Sequence, residues 1–380
     1  MHKITILEVN EFIYKAENAK ILEDGSFTWK APSNIALVKY WGKRELQEPE
    51  NPSISFTLSN CFTETTLEFK KSQEPAKVSK SDNNITSTQR KSHFDFFLDG
   101  ERKPEFNKKI GEFIVRISPL ATFIYDYDFI IKTHNSFPHS SGIASSASGM
   151  AALALCIMSM EKALNPSMSN ELFYKKASFL ARLGSGSAAR SIKGELVVWG
   201  EHSEIGESSD LFGVEFPYKV HHNFKNYQDI ILLVDKGEKV VSSTVGHNLM
   251  HNHPFAQKRF EQANENLSKL TEILQTGDLK AFVNIVESEA LTLHAMMMTS
   301  NPYFILMKPN TLEIINKIWN FRVHTNSNIC FTLDAGANVH VLFPEKEKET
   351  VNAFLAEELI QFCQKNEYIC DSVGSGAKQM

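Results

Sequence analysis

The 380-residue chain is 42% hydrophobic and 22% charged, with a formal net charge of −5, enough apolar material for about two domains or one large bilobed unit. Its basic residues are dispersed, so no stripe is available to neutralise a nucleic-acid backbone, and no nucleic-acid partner is expected. The longest markedly apolar run, residues 150–160, is shorter than the ~20 residues that span a bilayer as a helix, so no membrane insertion is expected either.

The N-terminal segment MHKITILEVNEFIYK carries acids among its first hydrophobic residues and lacks a small-residue cleavage site, which predicts no export signal. Residues 1–30 hold two short β-like patterns around an acidic, glycine-containing turn at 23–26. Residues 54–70, ISFTLSNCFTETTLEFK, alternate apolar and polar side chains and are rich in β-branched residues, which predicts a half-buried antiparallel strand. Residues 72–93 are polar and predict a hairpin tip. A helix is expected over 105–117, a strand over 127–134, a helix over 147–164 and another over 170–183, ending at Gly184. The loop GSGSAAR at 184–190 leads into a short helix and a strand over 195–199.

The acidic, glycine-bearing stretch 200–213 marks the domain boundary, giving an N-terminal lobe of residues 1–204 and a C-terminal lobe of residues 205–380. Beyond it, strand patterns at 229–235 and 329–333 alternate with helical patterns at 254–274, 279–298 and 311–319, which argues for an α+β layer structure. Residues 329–344, ICFTLDAGANVHVLFP, read as strand, tight turn, strand, with Asp334 at the bend. The five cysteines, Cys61, Cys156, Cys330, Cys363 and Cys370, are odd in number and form no CxxC pair, so reduced packing residues in a cytoplasmic protein are expected.

Four segments hold the residue types that do chemistry. Residues 137–150, FPHSSGIASSASGM, set glycine and hydroxyls before a helix; free N–H groups at such a helix start attract anions, although small residues there also serve close packing. In APSNIALVKYWGKR at 31–44, Lys39, Lys43 and Arg44 interrupt an apolar strand-like run, and cations so placed meet phosphate or carboxylate. Taken alone, Lys43 and Arg44 read more simply as the solvated end of a strand, whereas Lys39 lies among apolar neighbours. In GSGSAAR, Ser185, Ser187 and Arg190 can converge on one oxyanion, with a helix cap as the plainer alternative. In LDAGAN, Asp334 either bonds its own turn or aims a carboxylate into a cleft, where Gly336 lets a substrate approach. His247, His251 and His253 lack an acidic or cysteine partner at metal spacing and are expected on the surface. Met296 to Met298 are expected to fill core at a helix end.

Together these segments, with NPSISFTLS at 51–59, ARLGSGSAARS at 181–191, VSST at 241–244 and VGSG at 373–376, resemble the diphosphomevalonate decarboxylases of the GHMP small-molecule kinase superfamily. The resemblance runs from about Ala31 to the C-terminus and rests on the order, spacing and combination of the motifs. It implies an α+β GHMP kinase fold, with an N-terminal lobe like the second domain of ribosomal protein S5 and a ferredoxin-like C-terminal lobe around a cleft. It further implies conversion of mevalonate 5-diphosphate to isopentenyl diphosphate with ATP and magnesium, in a cytoplasmic homodimer. Carried over by position, Ser140, Ser141, Gly142, Ser145 and Ser146 would bind ATP. Tyr40, Lys43, Ser185, Ser187 and Arg190 would hold substrate, and Asp334, Lys39 and Arg190 would be catalytic. Magnesium would ride on phosphate oxygens, without a dedicated protein cage. The chain departs from the usual pattern in DAGAN for DAGPN and PHSSG for PTAAG. A mevalonate 3-kinase-like enzyme without decarboxylation, a phosphomevalonate decarboxylase and a silent binding protein are the alternatives.

Overall fold

The computed structural model describes residues 9–16, 20–73, 93–138, 143–237 and 243–380. Its first lobe is organised by two long strands, β1 (Asp24–Val38) and β2 (Ser53–Lys71), paired antiparallel. The alternation in β2 buries Cys61, Thr63, Thr65, Leu67 and Phe69 and leaves the residues between them partly exposed, as expected of a half-buried strand. β2 is long enough for two further neighbours: residues 63–71 pair with β5 (Tyr127–Asn135) and residues 53–56 with β6 (Leu196–Trp199). β3 (Phe94–Leu98) joins β5 in parallel, β4 (Glu101–Arg102) joins β3, β7 (Gly213–Glu215) joins β6, and β12 (Lys378–Gln379) joins β1.

Three helices cover this sheet. α3 (Asn170–Gly184) packs against both α1 (Asn107–Ile117) and α2 (Ser145–Leu164), and α2 lies against β1 and β2. α2 is longer than the 150–160 run suggested; its 20 residues are long and apolar enough to cross a bilayer, yet 83% of that window lies inside the protein. Its apolar character is therefore accounted for by the core.

Two expectations near the N-terminus need correction. Residues 24–26 begin β1 rather than forming a turn between strands, because their partners Phe69, Glu68 and Lys70 in β2 supply the ladder. β1 ends at Val38, so Lys39 to Arg44 leave the strand instead of continuing it. The residues before Ala31 also have a packing role: the Phe12 ring is fully buried, stacked on Phe179 at 4.6 Å and edge-on to Phe212 at 6.2 Å. Phe12→Ala is expected to destabilise the protein by about 3–5 kcal/mol, the usual cost of emptying a buried aromatic site, read as a lower urea midpoint at unchanged slope. The polar tip expected at 72–93 falls mostly outside the described residues.

In the second lobe, β8 (Gln228–Leu232), β9 (Cys330–Thr332), β10 (Val339–Phe343) and β11 (Tyr368–Ser372) form an antiparallel sheet in the order β11-β8-β10-β9. The helices are α4 (Ser243–Asn248), α5 (Ala256–Thr276), α6 (Leu279–Met298), α7 (Pro309–Thr325) and α8 (Lys348–Phe354). α6 starts where Asp278 accepts a hydrogen bond from the Ala281 N–H at 3.0 Å, a standard N-cap. The two lobes are tied by Asp371 of β11, whose carboxylate accepts from the backbone N–H groups of Ser59, Asn60 and Cys61 at 2.7–2.8 Å. Four of the five cysteines are buried, whereas Cys370 is exposed and so is not a packing residue. Met296 and Met297 are buried as expected, and Met298 is exposed.

Candidate active site

A cleft of about 560 Å³ opens between the lobes, and most of the residues singled out above line it. At its floor the Lys39 Nζ donates to Asp334 Oδ1 at 3.0 Å, joining residues that lie 295 positions apart. Lys39 is buried while the Asp334 side chain remains 28% exposed, so the carboxylate is the member presented to the cleft. Burial pushes the Lys39 amine below its ordinary value, opposed by the Asp334 charge and reinforced by Arg190. The Asp334 backbone oxygen is held twice, by the Gly336 N–H at 2.7 Å and by His294 Nε2 at 3.1 Å. A Cβ at Gly336 would meet no atom within 4 Å, so no neighbouring side chain dictates glycine there.

Arg190 sits in the 3-10 turn Gly186–Ser191 that follows α3. Its Nε donates to Ser55 Oγ and its Nη1 to Ser53 Oγ, both at 2.6 Å. Those serines are two apart on β2 and so share one face of the strand. The Trp199 ring lies 5.6 Å from the guanidinium. Burial lowers the Arg190 pKa to about 10, while Asp334 and Tyr40 oppose the shift; the group stays charged at neutral pH. Gly186 is required in this turn, because a Cβ would come within 2.8 Å of Trp199 and 3.0 Å of the Tyr40 hydroxyl. Tyr40 packs on Trp199 at 4.6 Å, its buried hydroxyl has no hydrogen-bond partner among the described residues, and burial raises its pKa. An unpaired buried hydroxyl in a cleft is costly unless a ligand completes it.

The Lys39 backbone is fixed by a second buried pair. Arg259 donates to Glu289 at 2.6 and 3.0 Å, Asn266 adds 2.7 Å, and Glu289 also accepts from the Lys39 N–H at 2.8 Å. The Lys39 carbonyl accepts from Arg259 and Asn51. Arg259→Met is expected to cost about 3–5 kcal/mol, because it leaves the Glu289 carboxylate buried without its cation; denaturant unfolding reads this directly.

The side of the cleft expected to take ATP begins at the N-terminus of α2. Ser145 and Ser146 occupy its first turn, after Ala144 in the left-handed region at φ 43°, and Ser146 Oγ lies 3.2 Å from Ser185 Oγ. That contact joins the two hydroxyl-bearing loops expected to serve ATP and substrate. Ser140, Ser141 and Gly142 lie outside the described residues. Ser187 lines the cleft while its carbonyl accepts from Asn34 at 3.2 Å, and Lys43 lines it with Nζ donating to Gln47 at 3.2 Å. Lys43 is thus half-buried on the cleft wall, whereas Arg44 points away to an ion pair with Asp210. Among the described residues no group of three or more His, Cys, Asp or Glu side chains could hold a metal. The Ser145 and Ser146 hydroxyls in the first turn of α2 are neutral oxygen donors of the kind that would suit magnesium carried on phosphate oxygens and water.

Several contributors were not found from sequence. An apolar end of the cleft, made by Phe96, Leu98, Phe106, Ile110, Ile131 and Leu153, has the shape chemistry of a site for a planar base. Its residues come from five elements, β3, the 3-10 turn Pro104–Phe106, α1, β5 and α2, which meet only in the fold. Ser53 and Ser55 could have been noticed as an alternating polar pair inside an apolar strand. The expectation of surface histidines fails for two of three: His247 and His253 are buried, and only His251 is exposed. The His253 imidazole packs under α6 with Nε2 on the Met296 carbonyl at 3.1 Å, and His247 enters the cleft wall.

Two α+β lobes around a cleft that joins a helix N-terminus to a Lys, Asp and Arg floor define an ATP-using enzyme of the GHMP kinase fold. Residues 31–210 match the diphosphomevalonate decarboxylase-like N-terminal domain, and residues 229–378 match the mevalonate 5-diphosphate decarboxylase C-terminal domain. The diphosphomevalonate decarboxylase of Ganoderma lucidum is 29% identical over 337 residues, 85% of this chain and 80% of that protein; the Rattus norvegicus protein is 27% identical over 351 residues, 88% and 80%. Among solved structures, MDDEF in complex with MVAPP, AMPPCP and magnesium aligns with a TM-score of 0.75 at 30% identity, over 93% of this chain and 98% of that one. The mevalonate diphosphate decarboxylase from Staphylococcus aureus aligns at 0.76 and 28%, over 94% and 98%. The chain belongs to the diphosphomevalonate decarboxylase family.

Proposed function

We propose that this protein decarboxylates mevalonate 5-diphosphate in an ATP-dependent reaction, yielding isopentenyl diphosphate, ADP, phosphate and carbon dioxide. The observation that carries the reading is the Lys39–Asp334 pair at 3.0 Å on the cleft floor, between the serine-bearing helix start and Arg190. Family membership supports the same assignment.

The chemistry follows from the residues. A tertiary alcohol is a poor nucleophile and a poor leaving group. Asp334 orients the 3-hydroxyl and takes its proton as the oxygen forms a bond to the γ-phosphorus of ATP and the β–γ bridging bond breaks, leaving ADP. Magnesium, when bound with ATP, neutralises phosphate charge. The C3–O bond then breaks with its electrons leaving on phosphate. The C1–C2 bonding pair becomes the C2–C3 π bond, and C1 departs as carbon dioxide. Lys39 and Arg190 stabilise the anionic oxygens as charge moves, in a buried setting where such interactions are strong. Tyr40, Lys43, Ser185 and Ser187 hold the substrate's anionic groups, and the apolar end of the cleft takes the adenine.

The homodimer and the cytoplasmic setting that the resemblance implies belong to the same reading; a sedimentation mass equal to one 43.0 kDa chain would remove the first. The functional test is product analysis with ATP, magnesium and either the 5-diphosphate or the 5-phosphate of mevalonate. Carbon dioxide and isopentenyl diphosphate are expected from the diphosphate, and turnover of the monophosphate alone would replace the assigned substrate.

A further inference from the structure

His247 stands in the wall of the cleft, and nothing in the chemistry above uses it. α4 delivers it through a tight packing contact: a Cβ at Gly246 would lie 2.5 Å from the Trp41 ring, so only glycine lets this short helix press against the indole. The imidazole then sits between two aromatic rings, 4.2 Å from Tyr40 and 4.6 Å from Trp41 by centroid, and it lines the same cavity as Lys43, Ser185, Ser187 and Arg190.

Its hydrogen bonding fixes its tautomer. The Gly42 backbone N–H, which can only donate, points at His247 Nδ1 at 3.0 Å. Nδ1 is therefore the acceptor, and in the neutral ring the proton resides on Nε2. Protonating Nδ1 would set two donors against each other. Burial, with Lys43 and Arg190 nearby, lowers the pKa to about 3, so the ring is neutral at physiological pH. Nε2–H has no protein partner among the described residues, although the residue is only 8% exposed.

We propose that His247 is a substrate-positioning residue, whose Nε2–H donates a hydrogen bond to an anionic oxygen of the substrate between Lys43 and Arg190. A neutral donor suits this place: it adds a directed bond to a phosphate or carboxylate oxygen without adding a third positive charge beside two cations. The inference rests on the substrate class assigned above and deepens it.

The test compares His247→Leu, which removes the donor, with His247→Gln, which restores an amide N–H near the Nε2 position. For His247→Leu the KM for mevalonate 5-diphosphate is expected to rise about 10- to 100-fold, as for loss of one hydrogen bond to a charged group. The KM for ATP stays within about threefold. His247→Gln recovers most of the substrate KM, which a merely structural role for the ring would not produce. A rise confined to the diphosphate places the contact on the terminal phosphate, and an equal rise with the monophosphate places it on the carboxylate or the first phosphate. Unchanged substrate KM in both variants, or equal changes in both KM values, overturns the proposal. Should the variants fail to fold, nitrogen-15 NMR of the wild-type protein decides: the His247 Nε2–H signal shifts and slows its exchange when the 5-diphosphate is added, and an unaltered signal at saturation overturns the proposal. If the wild-type enzyme releases no carbon dioxide, the substrate assignment fails instead.

Discussion

Asp334→Asn is expected to reduce turnover by ~10²–10⁴-fold, the range for loss of a positioned proton acceptor, while ATP binding stays within a few-fold. The substitution keeps the size of the side chain and its ability to accept from Lys39 Nζ at the position now 3.0 Å away. It removes the negative charge and the capacity to take a proton. Because the Asp334 backbone oxygen is fixed by the Gly336 N–H and His294, the turn is expected to persist. Single-turnover quench measurements of ADP formation, paired with titration of an ATP analogue, separate the two effects. A near-normal rate in this variant would remove Asp334 from the mechanism.

Arg190→Lys is expected to lower kcat/KM by ~10²–10³-fold, comparable with loss of one preorganised donor to a developing anion, although formal charge is conserved. Arginine uses Nε and Nη1 on Ser55 and Ser53 at 2.6 Å each, and Nη2 has no protein partner among the described residues. A lysine has a single charged head and cannot satisfy both serines while reaching a ligand. Two buried hydroxyls would lose their donor as well, so a modest loss of stability should accompany the loss of activity. The wild-type pH profile carries a related sign. Burial lowers both cations, Arg190 to about 10 and Lys39 below 10.5, and each is lost as pH rises through its own folded value. The alkaline limb is therefore expected at or below about pH 10, and Arg190→Lys should move it.

The legibility of this fold in sequence follows from how local each signal is. β2 was readable because alternation along one strand records one buried face, and α3 was readable because its apolar spacing ends at Gly184. α2 was underestimated at its start, since serines and glycine there look like loop until the ladder of the helix includes them. Lys39 and Asp334 could be nominated from their unusual neighbours, a cation among apolar residues and an acid at a strand bend. Their contact depends on a separation of 295 residues that no local pattern encodes. The serines under Arg190, the Arg259–Glu289 pair under Lys39, and the apolar end of the cleft were missed for the same reason. His247 was misjudged because polar composition around 247–253 suggests surface, whereas Gly246 and the Trp41 ring draw that turn inward.

The proposed chemistry requires one cleft to couple phosphorylation of the 3-hydroxyl to loss of the carboxylate. Its most direct test is the ratio of carbon dioxide to ADP in a single turnover, using mevalonate 5-diphosphate labelled at the carboxylate carbon together with ATP and magnesium. A ratio of about one, abolished together with ADP formation in Asp334→Asn, is the predicted result. ADP formed without labelled carbon dioxide would contradict the account and mark the protein as a kinase.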